Sequence, residues 1–431
     1  MKFHRRLLSS NSSSSSSSSN TTDHPSGDTS PNSISPTIVA STSSIDSKTT
    51  TTSISSDLSI QTLPSLPSLQ LDIPARSFPD FPSVAYPHLL ASVPPPHPSL
   101  PITSLAISGN LLYAASSHLV RVFLLPDLTP VDSFLGNDPS AGSVKSFAFT
   151  VSGAVLTAHQ DSKVRVWETT VGSSRHRLVA TLPTVTDRLM NFILPRNYVD
   201  IRRHKKCLWI EHADAVTALA VHEDSIYSVS WDRSLKVWRG SNLRCMESVK
   251  AAHEDAVNAL TVGPNGAVYT GSADGKIRVW TRRGGSNGGK RPRHILAATL
   301  DKHKSAINAL ALNEDGSVLF SGACDRSIVV WEREGGTDNM VAVGALRGHG
   351  KAILCMISVG REVVISGSAD RTVRVWRGEG GKFRCMAVME GHEKGVKSLE
   401  AVAVSGGVVS VVSGSLDGEI RLWHVDLKQL P

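Results

Sequence analysis

The sequence predicts an all-β chain built from repeated four-stranded units, and three observations support that reading. Six stretches place a Trp six residues after an Asp and ten after a Ser or Thr: Thr157/Asp161/Trp167, Ser228/Asp232/Trp238, Thr270/Asp274/Trp280, Ser321/Asp325/Trp331, Ser366/Asp370/Trp376 and Ser413/Asp417/Trp423. A seventh, decayed copy ends Ser117-His-Leu-Val-Arg-Val-Phe123. From about residue 100 the pattern alternates strand and turn, without a convincing amphipathic helix of any length.

The unit from 383 to 423 shows the grammar. Phe383 to Met389 reads as a strand, Gly391-His392 as a turn, Gly395 to Val404 as a strand and Ser405-Gly-Gly407 as a turn. Val408 to Ser413 then forms a third strand, Leu416-Asp-Gly418 a tight turn, and Glu419-Ile-Arg-Leu-Trp423 a fourth. Each unit is expected to be one four-stranded antiparallel sheet. The terminal aromatics fall at 123, 167, 238, 280, 331, 376 and 423, at intervals of 44, 71, 42, 51, 45 and 47 residues.

Four strands per 40 to 45 residues, ending in Trp and opening near Gly-His, resemble the WD40 repeat. Gly348-His349 and Gly391-His392 carry the pair, while His212, His253 and His303 keep the His alone. The Asp that usually follows the Trp is absent from every copy. The resemblance implies a seven-bladed β-propeller over residues 84–431, its ring closed by a strand at 86–93 that has no local partner. It also implies a role for the recurring polar residues. Five units carry the full set: His212/Ser228/Asp232/Trp238, His253/Thr270/Asp274/Trp280, His303/Ser321/Asp325/Trp331, His349/Ser366/Asp370/Trp376 and His392/Ser413/Asp417/Trp423. In WD40 proteins these types form a buried network. A hydrolase triad would be needed once, whereas a fastener is needed in every blade. No catalytic, metal-binding or cofactor-binding residue is expected.

The first two units depart from the pattern. Ser140 stands where the second would carry its His, and the first has Ser117 for Asp and Phe123 for Trp. These two blades are expected to open most easily.

Composition narrows the rest. Among 431 residues the net charge is +7, and five Cys without a Cys-x-x-Cys pair suit a reducing compartment rather than a disulfide framework or zinc knuckle. No run approaches the length of a membrane-spanning helix. Residues 1–83 are Ser/Thr/Pro-rich and poor in aromatics, which predicts a disordered tail. Ser30-Pro31 and Ser35-Pro36 match proline-directed kinases, Arg6 precedes Ser9 at basophilic spacing, and Pro64-Ser-Leu-Pro67 has polyproline character. A transit peptide is disfavoured because Ser12 to Ser19 would not sustain a helix.

Function is expected where the copies disagree. The 71-residue interval holds an insert at about 178–206, between blades 2 and 3, with apolar Leu189, Met190, Phe192, Ile193, Leu194, Tyr198, Val199 and Ile201 followed by Arg202-Arg203-His-Lys-Lys206. It either packs over the propeller as a lid or docks a partner. Its Leu-Pro-x-x-x-Asp-Arg and Leu-Pro-x-Asn-Tyr-Val phrases, with the Ser-rich tail and the Gly/Arg-rich connector after Trp280, resemble the Jingubang-type plant WD-repeat proteins. That resemblance implies a non-catalytic scaffold for protein partners, such as a transcription factor or signalling component, in cytoplasm and nucleus.

Candidate contact residues are Phe192, Tyr198, Arg202, Arg203, Trp231, Arg233, Arg326, Lys351, Arg371 and Lys394; Trp231 is an aromatic of the kind enriched at interface hot spots. The competing function is a substrate receptor of a cullin-type ubiquitin ligase. The nearest match to its usual Trp-Asp-x-Arg is Trp280-Thr-Arg-Arg283, without the Asp. The glycines at 284–289 lack phosphate-loop order, and Lys290-Arg-Pro-Arg293 reads as a nuclear localisation run. Nucleic acid is an unlikely ligand class, since the cations lack an aromatic stacking platform. A monomeric propeller is the expected state.

Overall fold

The computed structural model describes residues 66–69, 87–94, 100–136, 138–170, 175–202, 205–284, 292–335, 339–379, 381–404 and 407–428. Seven four-stranded antiparallel sheets form the blades of a β-propeller. Blades 1 to 6 take residues 102–134, 144–182, 216–249, 257–301, 307–346 and 353–389. Blade 7 takes 396–426 and receives His88–Val93 as its outer strand, paired from His88 opposite His424 to Val93 opposite Ile420.

The sheets are offset from the sequence units by one strand. Lys382–Met389, which holds the first strand of the 383–423 unit, is the outer strand of blade 6, and blade 7 begins at Val396. A unit defined by its Trp therefore spans two sheets, which corrects the expectation of one sheet per unit. The offset links each blade covalently to the next.

The third strands supply much of the core: in Leu235–Arg239 the first four residues are buried and only Arg239 is exposed, and every third strand buries its aromatic and the Val or Leu before it. The apolar clusters straddle neighbouring blades: Tyr269, Ile277 and Val279 of blade 4 pack with Leu319, Val329 and Trp331 of blade 5. Every inner strand carries a bulge at its first residues, between Val216 and Ala218 in blade 3 and between Val396 and Ser398 in blade 7. The bulge turns one side chain per blade toward the mouth of the central channel.

Three further expectations change. The chain does contain a helix, α1 (Val185–Phe192), inside the insert. It has only two turns and is set by its Thr184 cap, so no long apolar period marks it in the sequence. The insert begins at Pro183, because His176–Leu182 is the outer strand of blade 2. Finally, the expected tail disorder falls outside the described residues except at Leu66–Leu69, which occupy defined positions against blades 5 and 6.

Candidate protein-binding face

In each of blades 3 to 7 the repeated polar residues form one connected network. The Trp indole donates to the Ser or Thr hydroxyl at 2.8 to 3.0 Å, and that hydroxyl lies 2.8 Å from His Nε2. His Nδ1 reaches the turn Asp at 3.2, 2.9, 3.0, 2.8 and 3.3 Å in blades 3 to 7. Asp accepts only, so Nδ1 carries the proton and Nε2 accepts from the hydroxyl. That assignment satisfies every member with a neutral imidazole. Burial pushes His212, His253 and His392 below the ordinary value. Burial also works to raise Asp232, Asp274, Asp325, Asp370 and Asp417, but their bonds outweigh it and hold all five below the usual range.

Blade 2 builds only the Trp–Thr–His part of this network, with a residue the spacing does not reveal, and its His Nδ1 makes no bond to the turn Asp. His159, two residues after Thr157, places Nε2 2.8 Å from the Thr hydroxyl, which accepts from Trp167 at 2.9 Å. Its turn Asp161 binds Arg165 at 2.8 Å. Burial drives His159 down to about 3. Its position is occupied by Ser in blade 3 (Ser230) and blade 6 (Ser368), so the aligned pattern pointed to Ser140 instead.

The Asp turns, the Gly-His turns and the insert lie at one end of the blades, which we call the top. From there α1 runs along the outer edge of blade 3, fastened by its polar side, and meets Cys245, which stands opposite Trp238 away from the Asp turn. Thr184 Oγ1 accepts from Asp187 N, and the buried Asp187 carboxylate accepts from Cys245 N at 3.0 Å. Asn191 Oδ1 accepts from Trp209 Nε1 at 2.9 Å, and Arg188 pairs with Glu211 at 3.2 Å. With the polar face turned down, Leu189, Met190, Phe192 and Ile193 face outward, each 55 to 78% exposed.

Of the candidate contact residues, Phe192 and Tyr198 meet edge to face at 6.3 Å on this insert. The backbone of Arg202 ends the strand Tyr198–Arg202, while its side chain and Arg203 lie outside the described residues. Trp231 is 42% exposed; its indole donates to Asn258 at 3.3 Å and Lys145 sits over its ring at 5.6 Å. Beside it a cavity of about 600 Å³ is lined by Val199, Cys207, Asp232, Arg233 and Lys250.

Arg233, Arg326 and Arg371 occupy left-handed positions (φ 67°, 70° and 77°) directly after their turn Asp. None of these three, nor Lys351 or Lys394, pairs with an acidic group among the described residues. Lys351 and Arg371 share the turns of blade 6, whereas Arg233, Arg326 and Lys394 stand on blades 3, 5 and 7, so the structure does not gather all five into one patch.

Sequence reasoning missed Lys145 and Lys397. They are the bulge residues of blades 2 and 7, flanking Thr103 of blade 1 at the channel mouth. In blades 3, 4 and 5 the equivalent Thr217, Asn258 and Asn308 donate to the next blade's backbone at 2.7, 3.1 and 2.8 Å. Burial, with a smaller push from Lys397, lowers the Lys145 ammonium. The signal was present, one residue after each buried Val or Ile, but only the bulge marks it as a ring.

Among the described residues one acidic and His group has metal-like spacing: His392, Asp417 and Glu419. Both His392 nitrogens are engaged in the blade network and Glu419 pairs with Arg421 at 2.9 Å, so the set does not suit a cation. All five cysteines are free thiols. No described helix is long and apolar enough to cross a membrane.

A family model described as "WD domain, G-beta repeat" matches residues 205–239, 244–281, 295–332, 340–377 and 383–424. The chain is a WD40-repeat protein. Among curated relatives it is similar to a human kinesin-like protein, at 24% identity over 54% of this chain and 12% of that one. It is also similar to two Arabidopsis thaliana proteins. An F-box/WD-40 repeat-containing protein is 25% identical over 51% of this chain and 42% of its own length. ROOT INITIATION DEFECTIVE 3 is 29% identical over 44% and 39%. The WD40 chain thus spans less than half of each. Among solved structures, the WD40 propeller domain of Doa1 superposes with a TM-score of 0.58 at 18% identity, covering 81% of this chain and all of that one, which shows the shared fold. WD40 propellers generally act as scaffolds or adaptors for protein interactions.

Proposed function

We propose that this WD40 protein is a non-catalytic scaffold whose top face binds a partner protein, with the blade 2 to 3 insert as the principal contact. The observation that carries this is the orientation of α1. Polar Asp187 and Asn191 are spent on fastening the helix, while Leu189, Met190, Phe192 and Ile193 point away from the propeller. A helix that only lidded the propeller would turn its apolar side inward. Exposed apolar groups on a rigid frame suit a partner segment that brings apolar side chains of its own. Trp231 and the adjoining cavity extend the surface toward the channel mouth. The Jingubang-like phrases in the insert support a regulatory role in a plant cell, in cytoplasm and nucleus.

The test is affinity purification of the full chain against a Leu189→Asp/Phe192→Asp variant. Both side chains are exposed, so the variant should melt at the wild-type temperature while losing reproducible partners. An unchanged set of partners rejects the insert as the contact.

A further inference from the structure

Two seams between neighbouring blades are closed by the same device. In seam 1/2, Asp132 on the outer strand of blade 1 accepts from the backbone N and Nδ1 of His176, both at 2.8 Å, and His176 Nε2 meets Tyr113 Oη at 3.1 Å. In seam 3/4, Glu247 accepts from His294 N at 3.0 Å and Nδ1 at 2.9 Å, and His294 Nε2 meets Tyr227 Oη at 3.3 Å. The three positions are equivalent in register. Asp132 lies opposite Val122 and Glu247 opposite Val237, the tyrosines pair with those same valines, and each His pairs with the residue two beyond the blade's aromatic.

The same positions in seam 5/6 hold Gly344, Phe383 and Phe320. The device is absent there, and residues 66–69 take its place. Phe383 N, the equivalent of the two His amides, donates to Leu69 O at 3.1 Å. Ala345 donates to Pro67 O at 3.0 Å and accepts from Leu69 N at 3.2 Å, a parallel bridge centred on Ser68. Arg347 donates to Leu66 O at 3.3 Å. Leu66 packs on the blade 4/5 core and Leu69 on the blade 5/6 core.

Gly344 makes the room. A Cβ there would lie 2.4 Å from Leu69 Cγ and 2.9 Å from Pro67 O. At this register the other six blades carry Asp132, Ala180, Glu247, Ala298, Ala387 and Ala91. Among the described residues, blade 5 alone opens its outer edge at this register to a second backbone. The contact is made mainly by backbone groups plus two Leu side chains, a mode that any extended segment with the same Leu spacing satisfies. The sequence itself offers two overlapping copies, Leu63-Pro-Ser-Leu66 and Leu66-Pro-Ser-Leu69.

We propose that seam 5/6 is a peptide-docking cleft that this chain fills with its own Leu66-Pro67-Ser68-Leu69, so that the tail competes with a partner carrying the same extended Leu-Pro-x-Leu chemistry. The cleft lies at the rim of blades 5 and 6, apart from the insert on blades 2 and 3. A tethered competitor acts at an effective concentration on the order of millimolar. It therefore sets a threshold for binding in trans.

The test titrates a fluorescent peptide with the sequence of residues 64–70 into the full chain, wild type and Leu66→Asp/Leu69→Asp, and follows amide exchange at Ala345 and Phe383. Emptying the cleft should speed exchange at both amides and tighten peptide binding about tenfold; adding peptide should slow exchange again. Gly344→Leu in the emptied protein should remove binding. If that variant does not fold, Gly344→Ala, the residue four other blades carry, should still weaken it. Equal exchange at both amides, equal or absent peptide binding in the two proteins, or binding that survives the Gly344 change overturns the proposal. Leu189→Asp/Phe192→Asp should leave this peptide's affinity unchanged, which separates failure here from failure of the insert reading.

Discussion

Blade 6 and blade 1 have the same four strands and opposite ways of holding them. In blade 6 a buried chain runs from Trp376 through Ser366 and His349 to Asp370, each link between 2.8 and 2.9 Å. In blade 1 the equivalent positions are Phe123 and Ala114, with Ser117 at the turn, and all that remains there is apolar packing of Leu112, Ala114 and Phe123 against Val412 and Leu422 of blade 7. A polar network rewards completeness, because each member is expensive to leave unpaired. An apolar cluster degrades gradually. The two blades should therefore respond differently to the same kind of change.

The largest effect is expected from Ser366→Ala, which strands Trp376 Nε1 and His349 Nε2 in a dry interior. A loss of about 2 to 4 kcal/mol by urea denaturation is expected. Ser117→Ala in blade 1, tied to no such network, should change stability by under about 0.5 kcal/mol. Similar losses at the two sites would break the comparison.

Acid should act next, and only through the polar blades. His159, His212, His253 and His392 have lowered values and stay neutral in the fold. Their contribution is complete above the unfolded value of about 6.5 and falls as the pH drops below it. For His159 the loss continues down to about 3. The turn Asp residues, held low, add a further loss as the pH falls below about 3.9. Thermal melts from pH 8 to pH 4 should show the melting temperature falling in the acid range, and His159→Gln should flatten the part below pH 6.5. Glu400 works at the other end: burial pushes its carboxyl up to about 8, so its contribution is present at low pH and lost as the pH rises through that value. Glu400→Gln should raise the melting temperature at pH 9 and leave it unchanged at pH 4.

Hydrogen exchange sharpens the comparison further. Blade 2 has its own His159, Thr157 and Trp167 network, so its amides should exchange with those of blades 3 to 7, and blade 1 alone should open early. Fast exchange in both blades would show that Asp161 and His159 do not replace the usual set.

The smallest effect is expected at Arg121. The guanidinium rests over the Phe123 ring at 5.3 Å, but its Nε and Nη2 find no hydrogen-bond partner among the described residues, and burial lowers its affinity for the proton. Arg165 and Arg421, two residues before their own aromatics, pair with Asp161 and Glu419. Arg121→Leu should be neutral or stabilise by up to about 1 kcal/mol in urea titration.

The periodic part of the molecule was legible in residue order alone. Asp, Trp and Ser or Thr recur at spacings of six and ten because one hairpin holds them all, and a hairpin's geometry is local. The His residues of blades 3 to 7 could be aligned for the same reason. Everything that depends on two segments distant in the chain required the tertiary structure. His159 replaces the expected His from inside a strand, which becomes visible only when its ring is seen beside Thr157. The helix α1 turns its polar side down because Cys245 N and Trp209 Nε1 await Asp187 and Asn191, whereas its composition alone allowed either orientation. Gly344 looks ordinary in sequence, one glycine among 33. It acquires meaning from the carboxylates at the same register in blades 1 and 3, and from a backbone some 280 residues away that needs the space of one missing Cβ.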